Sequence, residues 1–211
     1  MLKKPIESDD EMKEQSGKKI LSRENLKMFL EKDKLALGKV SRKPSFFGDE
    51  IWKFEIVLRK HEYYLNTHSN KLLEKLYQFL HHNMGIKLGF EIPCNVFGPG
   101  LRINHSGYIV VNPKACVGSF CDIHQGVNIG ESIDGLAPTL GDNIWIGPGA
   151  KLFGGITLGS NIMIGANAVV NRSYSNGVNI AGVPAKVINH KGNYYYKRGE
   201  KELKEKENSI E

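Results

Sequence analysis

From Val111 to Val170 the apolar positions recur every six residues. An aliphatic side chain stands at Val111, Val117, Ile123 and Ile129, and the series resumes at Leu140, Ile146, Leu152, Leu158, Ile164 and Val170. Four residues after most of these comes a small or branched apolar residue: Ala115, Cys121, Val127, Ile144, Ala150, Ile156, Ile162 and Ala168. Such a period fits neither a helix nor the strict alternation of a half-buried strand. It marks a stacked repeat, in which three steps make one triangular coil of a parallel β-helix. The aliphatic residue is expected to point inward and the small one to fill a corner. Gly follows the aliphatic residue at Gly118, Gly130, Gly141, Gly147, Gly159 and Gly165, where it is expected to serve backbone at positive φ.

The register breaks once, between Ile129 and Leu140, eleven residues apart instead of six. Five extra residues are therefore expected to leave the coil near Glu131–Pro138. A loop ejected from a regular solenoid belongs on the binding face.

Before the repeats the pattern changes to helical spacing. Ser22 opens a stretch in which Leu26, Phe29, Leu30 and Leu37 share a face. A second amphipathic segment runs over 49–65, with Trp52, Ile56 and Tyr63 on its apolar side. A third runs over 70–88 with Leu72, Leu73, Leu76, Phe79 and Leu80, and Gly89 and Pro93 mark the change to extended chain. His81 and His82 on the third segment lack the spacing of three or four that a paired ligand site on one helix needs, and are expected on its surface or in packing. Residues 95–115 form a less regular first coil, with a turn at Gly98, Pro99 and Gly100. The chain thus divides into a charged N-terminus (1–21), a helical region (22–88), a β-helix (89–190) and a charged tail (191–211).

The net charge of +6 lies on the flanks, since residues 89–190 hold five Lys/Arg and five Asp/Glu. A basic helical flank is most simply a solvated face, and no nucleic-acid partner is expected. Cys94, Cys116 and Cys121 show no CxxC spacing, so buried thiols are expected and no disulfide. The first residues lack an apolar signal segment and no run is long enough to span a bilayer, so the cytoplasm is the expected location, without stable membrane insertion.

Two histidines lie well inside the repeats. His105 is expected at a register position that an inward aliphatic would occupy, six before Val111, and His124 follows inward Ile123. A neutral imidazole accepts a hydroxyl proton at pH 7, so His105 is a candidate general base. Zinc held by the two would need a third ligand that the coils do not offer, so no metal is expected.

The strings NHSGYIVVNPKA, IHQGVNIGE, IWIGPGAKLFGGITLG, IGANAVV and IAGVPAKVI resemble the hexapeptide-repeat acyltransferases. More narrowly they look like the serine acetyltransferase branch and its relatives of capsular or exopolysaccharide pathways, to which GFEIPCNVFGPG and FEIVLRKHEYYLN are also similar. The resemblance implies a left-handed parallel β-helix, a homotrimer with active sites between subunits, acetyl-CoA as donor and direct transfer to a hydroxyl. It also implies that His105, in the pair Asn104–His105, is the general base. Coenzyme A is then expected along Gly130, Pro148, Gly149, Ala150 and Ala166, with Lys186 meeting a phosphate. The family's Asp before this His is Asn104 here, its Arg-His pair before Pro138 is Leu136–Ala137, and its upstream Asp falls at Phe90. Glu91 is the nearest carboxylate in sequence to orient His105.

Loss of groups that read an amino acid points to a neutral acceptor held by Asn104, His124 and Asn128. The sequence therefore reads as an acetyl-CoA-dependent O-acetyltransferase acting on a sugar or surface-polysaccharide hydroxyl, with serine O-acetyltransferase as the alternative. A dimer of trimers through the helical region, residues 22–88, stays open beside a single trimer. Two readings of another class are a trimeric scaffold that binds no coenzyme A and a zinc-dependent hydratase on the same β-helix.

Overall fold

The computed structural model describes residues 19–193, so the expectations for the charged ends fall outside the described residues except at 19–21 and 191–193. Among the described residues three helices come first: α1 (Arg23–Ala36), α2 (Glu50–Thr67) and α3 (Lys71–Leu88). The Ser22 side chain accepts from the Asn25 N–H, and the Asn70 side chain accepts from Leu72 and Leu73, relieving orphan donors of the first turns. Gly89, at φ 76°, ends α3.

The remaining described chain winds through three parallel sheets. The five-stranded sheet stacks β1 (Phe90–Glu91), β3 (Ile109–Val111), β6 (Asn128–Gly130), β9 (Lys151–Phe153) and β12 (Val169–Val170). A three-stranded sheet holds β4 (Cys116–Val117), β7 (Thr139–Leu140) and β10 (Thr157–Leu158). The six-stranded sheet holds β2 (Arg102–Ile103), β5 (Asp122–Ile123), β8 (Ile144–Ile146), β11 (Ile162–Ile164), β13 (Asn179–Gly182) and β14 (Ala185–Asn189). Successive strands visit the three sheets in turn, which is a parallel β-helix. Ile144 pairs with Ile162 and Leu152 with Val170, a step of 18 residues. Ile123 pairs with Ile146 and Val117 with Leu140, a step of 23, so the five extra residues leave between β6 and β7. The antiparallel hairpin β13–β14 closes the far end.

All ten aliphatic positions of the repeat are buried, as are the eight small ones. The role expected for the repeat glycines is different. Gly118, Gly130, Gly141, Gly147, Gly159 and Gly165 have no positive φ; left-handed backbone comes two residues after five of them, at Phe120, Asn143, Gly149, Asn161 and Asn167, and at Gly126 in the turn that begins with His124. The repeat glycine is instead a matter of close approach. A Cβ on Gly118 would sit 2.6 Å from the Gly141 carbonyl oxygen, and one on Gly147 2.8 Å from that of Ile164. The next coil's backbone occupies the space.

The helical region attaches through buried charge. Arg59 of α2 is fully buried. Its Nε donates to Asp33 of α1 (2.7 Å) and its Nη1 to Glu62 (3.0 Å), while Nη1 and Nη2 also reach the carbonyls of Phe97 and Gly98 at 2.8 and 2.7 Å. Asp33 in turn accepts from the N–H groups of Gly100 and Leu101, Glu62 from Asn95 and Glu55 from Ile103. The first coil has no preceding coil to pair its backbone, and these side chains supply the missing partners. Burial, reinforced by Asp33, pushes the Glu55 carboxyl well above the ordinary range.

α2 buries more than its expected stripe, since Phe54 and Leu58 face the coil while Trp52 and Tyr63 are also covered. On α3 the outer side stays exposed at Leu72, Leu76, Phe79 and Ile86. No described helix is long and apolar enough to cross a membrane. Arg59→Ala strands two buried carboxylates and two carbonyls, and is expected to lower the unfolding free energy by about 3–5 kcal/mol in urea titration. A loss under about 1 kcal/mol, the scale of an exposed pair, would contradict this role for the network.

Candidate active site

Each coil turns from the six-stranded to the five-stranded sheet at one corner, and the turns stack. Residues 104–108, 124–127, 147–150 and 165–168 form this ridge. A Cβ on Gly107 would lie 3.1 Å from the Gln125 Cβ, Gly149 donates its N–H to the Gln125 carbonyl, and Asn167 donates to that of Pro148. Asn104, His105, His124, Pro148, Gly149 and Ala166 therefore share one edge of the molecule.

His105 is not inward. Ile103 takes the inward place, pairing with buried Ile123, and His105 sits exposed at the first turn of the ridge. The period of six counted back from Val111 fails here because the first coil takes 20 residues from Arg102 to its partner Asp122. Exposure suits a base that must meet a substrate. Its ring centroid lies 6.2 Å from that of His124, which packs edge-on to Trp145 at 4.9 Å.

Asn104 joins the two levels. Its Nδ2 donates to Asp122 and lies 3.1 Å from His124 Nε2, while Arg102 reaches Asp122 and Asn104 at 3.4 Å. Burial pushes the Asp122 carboxyl up to about 6, against the pull of Arg102, Asn104 and His105. Burial, with the fields of His105 and Arg102, pushes the His124 imidazole down to about 4. His124 is thus neutral at pH 7 and presents its ring as a hydrogen-bonding group.

Asp122 was absent from the sequence expectations, although its outward place before inward Ile123 stacks it directly between Arg102 and Trp145. It replaces Glu91 as the carboxylate beside His105: Glu91 stands exposed on β1 in the five-stranded sheet, paired with Val110, and makes no hydrogen bond or ion pair to His105 among the described residues. Asn128 also lies on that sheet, between Val110 and Lys151, so one chain does not bring it to Asn104 and His124.

The expected cofactor positions divide likewise. Pro148, Gly149 and Ala166 lie on the ridge with their surfaces partly or fully open. Ala150 is completely buried and faces the core, so it offers no side chain to a ligand. Gly130 ends β6 on another face. Lys186 is exposed on β14 beside Ala181, whose Cβ lies over Gly165, at the far end of the six-stranded sheet. With strands about 4.8 Å apart, β2 and β14 are separated by about 24 Å. The Gln125 Oε1 is buried on the ridge without a partner, an acceptor aimed at nothing the single chain supplies.

The 131–138 loop leaves a different corner, between the five- and three-stranded sheets. Lys114 pins it through Glu131 (2.8 Å) and the Gly135 carbonyl (3.0 Å), and a hollow of about 670 Å³ lies against Glu131–Asp134 and Phe153. The loop therefore does not overhang the His105 corner of its own chain.

No protein-family model matches the chain. It is 36% identical over 119 residues to the serine acetyltransferase of Synechococcus elongatus, an overlap of 54% of this chain and 49% of that protein. The chain spans about half the length of the curated relatives it matches first, 49% and 43%. Among solved structures, the serine acetyltransferase of Brucella abortus in complex with coenzyme A superposes with TM-score 0.64 at 24% identity, covering 81% of this chain and 70% of that one. The serine acetyltransferase of Neisseria gonorrhoeae in complex with serine gives TM-score 0.62 at 25% identity, covering 88% and 78%.

The paired shifts predict a pH signature. His124 has a folded value below its unfolded one, so it costs stability that is fully expressed below about 4 and vanishes as pH rises through about 6.5. Asp122, raised, contributes in the opposite sense, with stability present below about 3.8 and lost as pH rises through about 6. The two oppose between about pH 4 and 6. His124→Gln removes the first alone, so the variant should gain stability relative to the parent as pH falls from about 6.5 to 4. An NMR midpoint for His124 near about 6.5 would contradict the assignment. The chain is thus similar to serine acetyltransferases over about half its length, and it shares the fold of the solved ones.

Proposed function

We propose that the protein is an acetyl-CoA-dependent O-acetyltransferase whose acceptor is L-serine, working as a homotrimer. The observation that carries the reading is the stacked ridge, which aligns exposed His105 with small-residue turns at Pro148–Gly149 and Ala166 and ends near exposed Lys186. Turns of this kind let an extended acyl carrier lie close to backbone N–H and C=O groups, and a lysine at the end of the sheet suits its phosphates. The likeness to a solved structure containing coenzyme A supports that occupant.

In the proposed reaction His105 takes the proton of the acceptor hydroxyl. The oxygen attacks the thioester carbonyl, and a backbone N–H of the ridge steadies the oxyanion. The carbon–sulfur bond then breaks, the thiol leaves with the proton returned by His105, and the O-acetyl ester remains. Asn104 and His124 position the acceptor, and Asp122 holds Asn104.

A sugar acceptor was the first expectation from the sequence, because the family's charged amino-acid readers are missing at Asn104 and Leu136–Ala137. The likeness to serine acetyltransferases supports serine instead, and so does the charge beside Asn104. Asp122 and Arg102 stand beside Asn104, a carboxylate and a guanidinium suited to an ammonium and a carboxylate of one small zwitterion.

A trimer fits two further observations. The orphan Gln125 Oε1 and the 131–138 loop lie on separate corners, and a neighbouring copy can bring a loop corner to a ridge corner. The exposed apolar side of α3 suits a second contact, between trimers. Thiol release from acetyl-CoA should therefore be serine-dependent, with nucleotide sugars and glycans giving no more than the background rate. Turnover on a sugar with none on serine would overturn the acceptor, and failure to bind coenzyme A in calorimetry would overturn the enzyme reading.

A further inference from the structure

Away from the ridge, three ligand-type side chains converge where α2, α3 and the first coil meet. His61 comes from α2, His81 from α3 and Cys94 from the segment after β1. The two Nδ1 atoms are 3.0 Å apart, and Cys94 Sγ lies 3.2 Å from His61 Nδ1 and 4.0 Å from His81 Nδ1. A tetrahedral zinc, with Zn–N of about 2.0–2.1 Å and Zn–S of about 2.3 Å, separates its ligand nitrogens by about 3.3 Å and nitrogen from sulfur by about 3.6 Å. The observed nitrogen pair is within a few tenths of that separation, and the two sulfur distances straddle theirs.

Hydrogen bonding alone accounts poorly for the arrangement. A neutral imidazole Nδ1 is either a donor or an acceptor, yet His61 Nδ1 is approached by both His81 and Cys94. Three heteroatoms aimed at one point suit a cation better than a shared proton. The surroundings agree with ligation. An imidazole must be neutral to ligate, and His61 is buried with His81 half-buried beside it. Phe54 packs against His81 at 5.3 Å between centroids and shields one side. His61 is nearly buried, whereas His81 and Cys94 remain partly open, leaving a route for an ion and a fourth position for water.

We propose that His61, His81 and Cys94 form a site for one zinc-class divalent cation, which ties α2 and α3 to the first coil. On binding, the cation forms one bond to sulfur and one to each Nδ1, and the Cys94 thiol proton goes to solvent. Because the ion must displace that proton, affinity should rise with pH. Glu62, Glu74, Arg59, Lys75 and His82 are the charged or titratable groups whose fields reach the three ligands. This site is separate from His105 and His124, so it does not revive zinc-dependent chemistry on the ridge.

The test uses the full chain without a histidine tag, stripped by chelator and titrated with cobalt(II) and then zinc(II). One equivalent per chain is expected, with thiolate-to-cobalt charge-transfer absorption and the strong visible bands of tetrahedral cobalt. Zinc should bleach both and raise the thermal midpoint. Cys94→Ser should abolish the charge-transfer band. His81→Ala should weaken zinc binding by more than about tenfold, since losing even an outer partner of a ligand costs about 10–100-fold. Its position on the partly open side of α3 keeps this variant informative if Cys94→Ser does not fold. Absence of stoichiometric binding by the parent chain, or binding unchanged in His81→Ala, would overturn the site and leave a hydrogen-bonded trio.

Discussion

The structure depends on finding partners for the first coil. A parallel β-helix satisfies each coil's backbone with the next, so the coil at either end exposes a row of donors and acceptors. At the C-terminal end the β13–β14 hairpin closes the stack. At the N-terminal end closure comes from side chains of α1 and α2, with Arg59, Asp33, Glu62 and Glu55 bonding to backbone between Asn95 and Ile103. A charge cluster of this kind costs desolvation, and its return here is register. It fixes where the helices sit on the coil and holds the Arg102–His105 segment that continues from it. The helical region is therefore part of the scaffold of the candidate site, although it supplies no residue to the proposed chemistry.

From that anchored coil the ridge follows by stacking. Each turn inherits its position from the turn beneath, through close backbone approach at the repeat glycines and left-handed residues two positions on. The same geometry aligns outward-facing side chains into a ladder, which is how Arg102, Asp122 and Trp145 come together without being near in sequence. Asp122 and His124 have their proton affinities moved in opposite directions by burial in this ladder. The site is polar, with Arg102 and Asp122 of opposite sign side by side.

The core was legible from sequence because each inward position repeats its own chemistry, so Val111 to Val170 could be assigned by counting. Cys121 was placed as a small inward residue on the same logic, and it is buried. Counting failed where the coil length changes. His105 looks inward by a period of six, but the first coil runs to 20 residues, and one slip moves a side chain from core to surface. Glu91 was chosen for nearness in sequence, whereas stacking puts Asp122 beside the site. The Arg59 network was invisible because charged residues on an amphipathic helix read as solvated. His61 escaped for a related reason, since a ligand set spread over two helices and a turn carries no local spacing.

The central claim is that exposed His105, at the head of the ridge, is the base for acetyl transfer. The most direct measurement is serine-dependent turnover of acetyl-CoA by His105→Ala, with coenzyme A affinity and oligomeric state determined on the same sample. A fall in kcat of about 10²–10⁴ with unchanged coenzyme A binding is the predicted result, the range for loss of a general base. Near-parental turnover in a variant of normal assembly would contradict the account.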